Sequence, residues 1–391
     1  MIYKPFQELK LSTLGMGNMR LPTAGERKKI DREKAREIIE HAYHQGINYF
    51  DTAYRYHGGE SESFVGQVLK QFPRDTWYLA SKMPGHMMNY QGGKLGFQGY
   101  LAGEEVSSIS AIFEEQLEKC GVDYFDFYLL HNVCETSYDF YTNRELDVVG
   151  YLLEQKKAGR IRHLGFSAHG RTETIRRFLD IYPGIFEFCQ IQLNYLDWTL
   201  QEAGKKYELL TERGIPVIVM EPCRGGSLAS LPEAAESRLK AARPQDSIAA
   251  WAFRFLQSLP NVQVVLSGMS TMEQLAENLE TFSKAEPATP EERELLAQIA
   301  ETMADRIPCT ACRYCCEDCP QGLEIPKLIS MYNELRYNKD IGLLKFTLDA
   351  MGEGELPSAC VGCGACARAC PQGIAIPEVM AGFAEAIEKA Q

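Results

Sequence analysis

Between Leu11 and Ser283 the chain repeats one unit: a short β-branched or aromatic run, then an amphipathic stretch with apolar residues at helical spacing. The runs end near Gly15, then at Asp51, Lys82, His131, Ser167, Gln190, Glu221 and Ser267. The helical stretches are Arg32–Gln45, Glu62–Gln71, Glu104–Cys120, Tyr151–Gly159, Glu173–Ile181, Glu202–Gly214, Asp246–Leu259 and Met272–Ser283. Eight strand–helix units predict an α/β fold, a (β/α)8 TIM barrel over residues 1–284. A doubly wound sheet is the alternative. No G-x-G-x-x-G follows a strand, which disfavours a Rossmann-type dinucleotide fold.

A linker rich in Ala and Pro, A-E-P-A-T-P from Ala285, and a helix over Glu291–Thr302 make up 285–302. The remainder, 303–391, holds nine of the 13 cysteines, between Cys309 and Cys370. Two runs have the form C-x2-C-x2-C-x3-C-P: Cys309, Cys312, Cys315, Cys319 with Pro320, and Cys360, Cys363, Cys366, Cys370 with Pro371. This is the spacing of bacterial ferredoxins. Three thiolates two residues apart on a tight loop reach three irons of one cube, and the fourth typically serves the other cluster. One [4Fe–4S] cluster then takes Cys309, Cys312, Cys315 and Cys370. The other takes Cys360, Cys363, Cys366 and Cys319. Structural zinc is the alternative, although zinc sites usually join C-x2-C knuckles from separate segments. Cys316 is surplus. The segments between and after the runs have helical spacing, and Pro377 stands in a first helical turn. The module therefore resembles α-helical ferredoxins.

The net charge of −12 argues against a nucleic-acid partner. No apolar run approaches the ~20 residues of a membrane span, and the N-terminus lacks the basic and apolar regions of a signal peptide. A cytoplasmic protein with no membrane association is the expectation.

Asp51, Lys82 and His131 each stand where an apolar run stops, with Tyr56 just beyond the first. In a barrel those strand ends converge on the face where active sites form. The segment from Gly46, G-I-N-Y-F-D-T-A-Y-R-Y, resembles the signature of the aldo-keto reductase family. So do the S-K, L-L-H and G-F-S strand ends and E-Q-L-A-E-N at 273–278. The likeness runs in order over roughly residues 5–283. With the cysteine module, the chain resembles the members that carry a C-terminal two-cluster [4Fe–4S] ferredoxin-like domain.

The resemblance implies a catalytic tetrad of Asp51, Tyr56, Lys82 and His131. Tyr56 would donate the proton, Lys82 would lower its pKa, Asp51 would pair with Lys82, and His131 would orient the substrate carbonyl. It implies NAD(H) or NADP(H), with Ser167 and Gln190 on the carboxamide. The family's usual asparagine after the serine is Ala168 here, and Met220 replaces its stacking tyrosine. Arg224 and Gly225, in the glycine-rich loop 221–228, suit a pyrophosphate. The resemblance further implies cofactor contacts at Gly268, Ser270, Gln274 and Asn278. The first three stand where NADPH-preferring relatives carry cations, so an NAD(H)-leaning preference is expected. The expected function is reversible hydride transfer between a nicotinamide cofactor and a small carbonyl or alcohol. The clusters would relay electrons, with a ferredoxin or flavoprotein as partner, or serve a structural or redox-sensing role. The alternative is an electron-transfer or redox-sensing protein that uses the barrel as a scaffold. The long segments Pro84–Gly103 and after His131 wall a pocket or dock the cysteine module.

Overall fold

In the computed structural model the described residues are 1–25, 29–97, 106–303, 307, 309, 314–338, 341–370 and 374–389. The chain divides into two compact units, Met1–Leu295 and Leu296–Gln391.

In the first unit, β1 (Tyr3–Phe6) and β2 (Leu9–Ser12) form a hairpin that leads into β3 (Leu14–Gly17). Strands β4 (Thr23–Ala24) and β5 (Lys29–Ile30) pair in a small ribbon. After β6 (Tyr49–Asp51) and β7 (Tyr78–Met83) comes a second hairpin, β8 (Met88–Gln91) and β9 (Lys94–Phe97). Then follow β10 (Phe125–Val133), β11 (Ile161–Ala168), β12 (Cys189–Gln192), β13 (Val217–Met220) and β14 (Val262–Ser267). Eight of these close a parallel barrel in the order β3-β6-β7-β10-β11-β12-β13-β14. Spatial order follows chain order all the way round, so the doubly wound alternative is excluded.

All eight expected barrel strands form. The hairpins β1–β2 and β8–β9 and the helix Glu233–Ala242 are additions. The barrel is filled by Tyr49, Ala80, Phe127, Leu129, Phe188, Ile218, Val264 and Leu266. Phe6 and Leu11 join this cluster from the first hairpin and close the floor opposite the strand C-termini. Two glycines make room for large neighbours. A Cβ on Gly15 would meet Val264 at 2.7 Å and Leu266 at 2.8 Å, and one on Gly165 would meet the Phe188 ring at 2.6 Å.

The expected linker is tied down. Arg254 donates to the Glu286 carbonyl at 2.8 Å, and Arg243 grips Glu292 through two bonds of 2.6 and 2.8 Å. The division between units falls within the helix Pro290–Met303, inside the segment 285–302.

The second unit is mainly helical, with Ile325–Asn338, Gly342–Asp349 and Ile376–Lys389 as its longer helices after the boundary. Pro326 and Pro377 stand in first turns, where a missing N–H costs nothing. Leu323, Ile325, Leu328, Ile329, Met380 and Phe383 are buried together, and Tyr332 stacks on Phe383.

Candidate active site and cluster module

Lys82 is fully buried at the end of β7. Its Nζ lies 2.6 Å from Asp51 Oδ1 at the end of β6, 2.8 Å from the Thr52 carbonyl and 3.4 Å from the Tyr56 hydroxyl. A buried ammonium is tolerated because all these acceptors face it. Burial opposes its charge, but Asp51 and then Tyr56 outweigh that and hold the Lys82 pKa above its ordinary value. The His131 ring is 6.1 Å from that of Tyr56. The four tetrad candidates, spread from Asp51 to His131 in the sequence, thus share one end of the barrel.

Two opposed influences act on the Tyr56 phenol. Lys82 does pull the phenol down, but burial outweighs it and the pKa lies above the ordinary value. Tyr56 is therefore protonated at neutral pH, the form that donates. His131 is pushed well below its ordinary pKa by burial, then by His86 and Lys82. It is a neutral imidazole here.

The surroundings hold these groups in place. Behind β7, Glu62 accepts from Ser81 Oγ and Gln116 Nε2, both at 2.6 Å. The same Gln116 nitrogen is 3.1 Å from the Lys82 carbonyl, and Gln116 Oε1 accepts from Tyr128 at 2.5 Å. The Tyr141 hydroxyl reaches the carbonyls of Met83 at 2.9 Å and His131 at 2.7 Å, clamping two strand ends together. The His86 ring packs 4.3 Å from that of His131. Tyr141 and His86 lie beyond the strand ends, where no periodicity marks them. His57 serves the local backbone, and its Nε2 accepts from the Leu21 N–H at 3.2 Å.

The candidate cofactor residues line the rest of this face. Ser167 Oγ is buried and accepts from the Asn132 N–H at 2.8 Å, leaving its own proton for another acceptor. Gln190 is buried; its Nε2 is 3.7 Å from Met220 Sδ, and its Oε1 has no hydrogen-bond partner among the described residues. A buried, unanswered amide oxygen beside a soft side chain fits a planar amide-bearing ring. Arg224 points inward. It is buried, and its Nε is 3.0 Å from the equally buried Asp197, which also accepts from Gln192 and Asn194. Gly225 has φ +66°. Gln274 Oε1 accepts from the Ser270 N–H at 2.8 Å, and Asn278 Nδ2 donates to Ser267 at 3.0 Å. These last two shape the loop after β14 around Gly268.

In the second unit, Cys319, Cys360, Cys363 and Cys366 line one cavity with Leu323, Ile325 and Met380. This is the crossed set, three thiolates of the second run with the last of the first. Among the described residues no three His, Cys, Asp or Glu side chains stand close enough to hold a single metal ion. The donor set, four cysteines drawn from two C-x2-C-x2-C-x3-C-P runs, is that of a cluster site. Cys309, Cys315 and Cys370 are described without a disulfide, and Cys312 lies outside the described residues.

Two family models match the chain, one over the barrel and one over the cysteine module. The model of the aldo/keto reductase family matches residues 13–301, and that of a 4Fe-4S dicluster domain matches 308–375. A probable aldo-keto reductase of Glycine max is 27% identical over 56% of this chain and 58% of its own length. An NADH-specific methylglyoxal reductase of Escherichia coli is 29% identical over 56% of this chain and 66% of its own length. The chain thus spans less than two thirds of either relative. The structure of an aldo-keto reductase from Bacillus halodurans in its holo form superposes with TM-score 0.59 at 26% identity, covering 76% of this chain and 96% of that one. The chain belongs to the aldo/keto reductase family and carries a 4Fe-4S dicluster domain C-terminal to its barrel.

Proposed function

We propose that the barrel reduces small aldehydes or ketones reversibly with a nicotinamide cofactor, and that Asp51, Tyr56, Lys82 and His131 carry the chemistry. The observation that carries this reading is the buried Lys82 ammonium, 2.6 Å from Asp51 and 3.4 Å from the Tyr56 hydroxyl. When bound, the nicotinamide supplies or accepts the hydride. Tyr56 gives its proton to the carbonyl oxygen as negative charge develops there. Lys82, kept charged by Asp51, stabilises the phenolate left behind. His131, neutral, donates a hydrogen bond to the same oxygen and fixes its orientation. Ser167 and Gln190 are the residues suited to the carboxamide, Met220 to the ring, and the loops around Gly225 and Gly268 to the phosphates and adenosine. The NADH specificity named for the E. coli relative accords with the uncharged Gly268, Ser270 and Gln274 here. An NADH preference with a small 2-oxoaldehyde or similar carbonyl follows.

For the clusters we propose Cys309, Cys312, Cys315 and Cys370 on one and Cys360, Cys363, Cys366 and Cys319 on the other. The cavity that joins Cys319 to the second run supports the crossed arrangement. Assaying anaerobically prepared protein against a panel of small aldehydes and ketones with NADH and NADPH tests the barrel's role. Carbonyl-dependent oxidation of NADH is the expected result, and no turnover with any carbonyl would overturn it. The same assay on Cys363→Ala separates the cluster roles. Unchanged turnover makes them structural or sensory, whereas turnover that requires reduced viologen makes them an electron relay.

A further inference from the structure

His86 stands in the short turn Gly85–Met87, four residues after Lys82. Here the chain leaves β7 and packs against the end of its neighbour β10. Gly85 lets the turn lie that close. A Cβ there would fall 2.5 Å from the Tyr141 ring and 2.7 Å from Phe140, both in the helix Tyr138–Tyr141. The Tyr141 hydroxyl in turn binds the carbonyls of Met83 and His131, at 2.9 and 2.7 Å. The stretches of main chain that carry His86 and His131 are thus fixed relative to each other.

The two imidazoles meet edge to face, with 4.3 Å between centroids and 63° between planes. His86 also hydrogen-bonds the His131 main chain. The Tyr56 ring stands edge-on to His131 as well, but farther off, at 6.1 Å and 82°. An imidazole that must donate in one direction is usually aimed by an acceptor on its other nitrogen. Among the described residues no group hydrogen-bonds the His131 imidazole. Its orientation therefore rests on the rings packed against it, and the His86 ring is the nearer of these two.

We propose that His86 is a positioning residue for carbonyl reduction: its ring packs on His131 and aims that imidazole at the substrate oxygen. This rests on the nicotinamide reading above. His86 itself touches no reacting atom and exchanges no proton. Without its ring a gap opens beside His131 into which the imidazole can turn. The hydrogen bond to the developing oxyanion then weakens, while the groups that suit the cofactor, Ser167, Gln190 and Met220, keep their places. A misplacement of about 1 Å at a reacting centre costs up to about 10²-fold in rate, which sets the scale of the effect.

The test is a double-mutant cycle on the full-length, cluster-loaded protein, with NADH and the best carbonyl of the panel above. His86→Ala should lower kcat by about tenfold to a hundredfold, while NADH, titrated by its fluorescence, binds as before. In a His131→Ala background the same substitution should cost nothing further, because the ring it acts through is gone. His86→Phe, which keeps a ring at that place, should lose less than His86→Ala. Equal losses with and without His131 would overturn the proposal, since a loosened fold costs the same in both backgrounds. So would a His86→Ala protein that turns over at the parent rate, or a His86→Phe protein as slow as His86→Ala. If the unchanged protein reduces no carbonyl, the nicotinamide reading itself fails and takes this one with it.

Discussion

At the residue scale, the centre of the site is an ion pair that water does not reach. The Asp51 and Lys82 side chains are 3% and 0% exposed. Removing one partner leaves an uncompensated buried charge, so Asp51→Ala should lower stability by about 3–5 kcal/mol. Adding Lys82→Met to it should recover part of that loss, because an apolar pair replaces a lone ion. Urea denaturation can follow both, since all three tryptophans, Trp77, Trp198 and Trp251, lie in the barrel. A double variant less stable than Asp51→Ala would contradict the account. A second prediction concerns His86, which burial, then His169, pushes down to about 4. A group whose folded pKa is depressed costs stability as pH falls: the unfolded chain takes up the proton near pH 6.5, while the folded chain resists until about 4. Stability should therefore drop between about pH 6.5 and 4, and His86→Gln should make that drop shallower. The same denaturation at several pH values checks this, and an unchanged slope would refute it. Asp51, Lys82 and His131 were legible in the sequence because each ends an apolar run that can only be a strand. Tyr141 was not, since the carbonyls it clamps, those of Met83 and His131, lie 58 and 10 residues earlier in the chain. Arg224 looked free for the opposite reason: its partner Asp197, 27 residues earlier, carries no motif.

At the scale of elements, the strand and helix order follows from hydrophobic period, and the closure of eight strands in chain order decides for the barrel over a doubly wound sheet. The hairpins are not legible in that period because they are short and lie outside the repeating unit. The β8–β9 hairpin turns at Gly92 and Gly93, both with positive φ, within the segment Pro84–Gly103 that was expected to wall a pocket or dock the cysteine module and of which 98–103 lie outside the described residues. Close approaches between elements are equally hidden. Gly66, on the helix Glu60–Leu69 that carries Glu62, faces the end of the helix Ile109–Cys120. A Cβ there would fall 2.0 Å from the Cys120 carbonyl oxygen. Backbone cannot step aside as a side chain can. Gly66→Ala should thus cost about 3 kcal/mol or more and loosen the Glu62–Gln116 contacts behind Lys82. Gly165→Ala meets the Phe188 ring first, and a side chain can give way, so its cost of about 1–3 kcal/mol should shrink when Phe188→Leu is added. Paired denaturation curves distinguish the two cases, and a Gly66→Ala protein as stable as the parent would show that the helices are not locked there.

At the scale of the whole molecule, a barrel with four tetrad candidates at one end and a two-run cysteine module share one chain, and each was legible for its own reason. Thiolate spacing identifies the module, and strand-end chemistry identifies the barrel. If the crossed ligand sets hold, Cys319→Ala should damage the cluster of the second run despite its place in the first. The protein should then retain about half its iron and sulfide, with Cys309, Cys312, Cys315 and Cys370 still served. Loss confined to the first run's cluster in paramagnetic resonance spectra would contradict the crossing. The central claim is that proton delivery by Tyr56 drives carbonyl reduction in this barrel. A single-turnover experiment following nicotinamide absorbance, with the unchanged protein and Tyr56→Phe side by side, tests it most directly. The account predicts that cofactor binding is preserved while the reduction rate falls by about 10²- to 10⁴-fold, the usual share of a general acid. A Tyr56→Phe protein that reduces the carbonyl at the parent rate would contradict it.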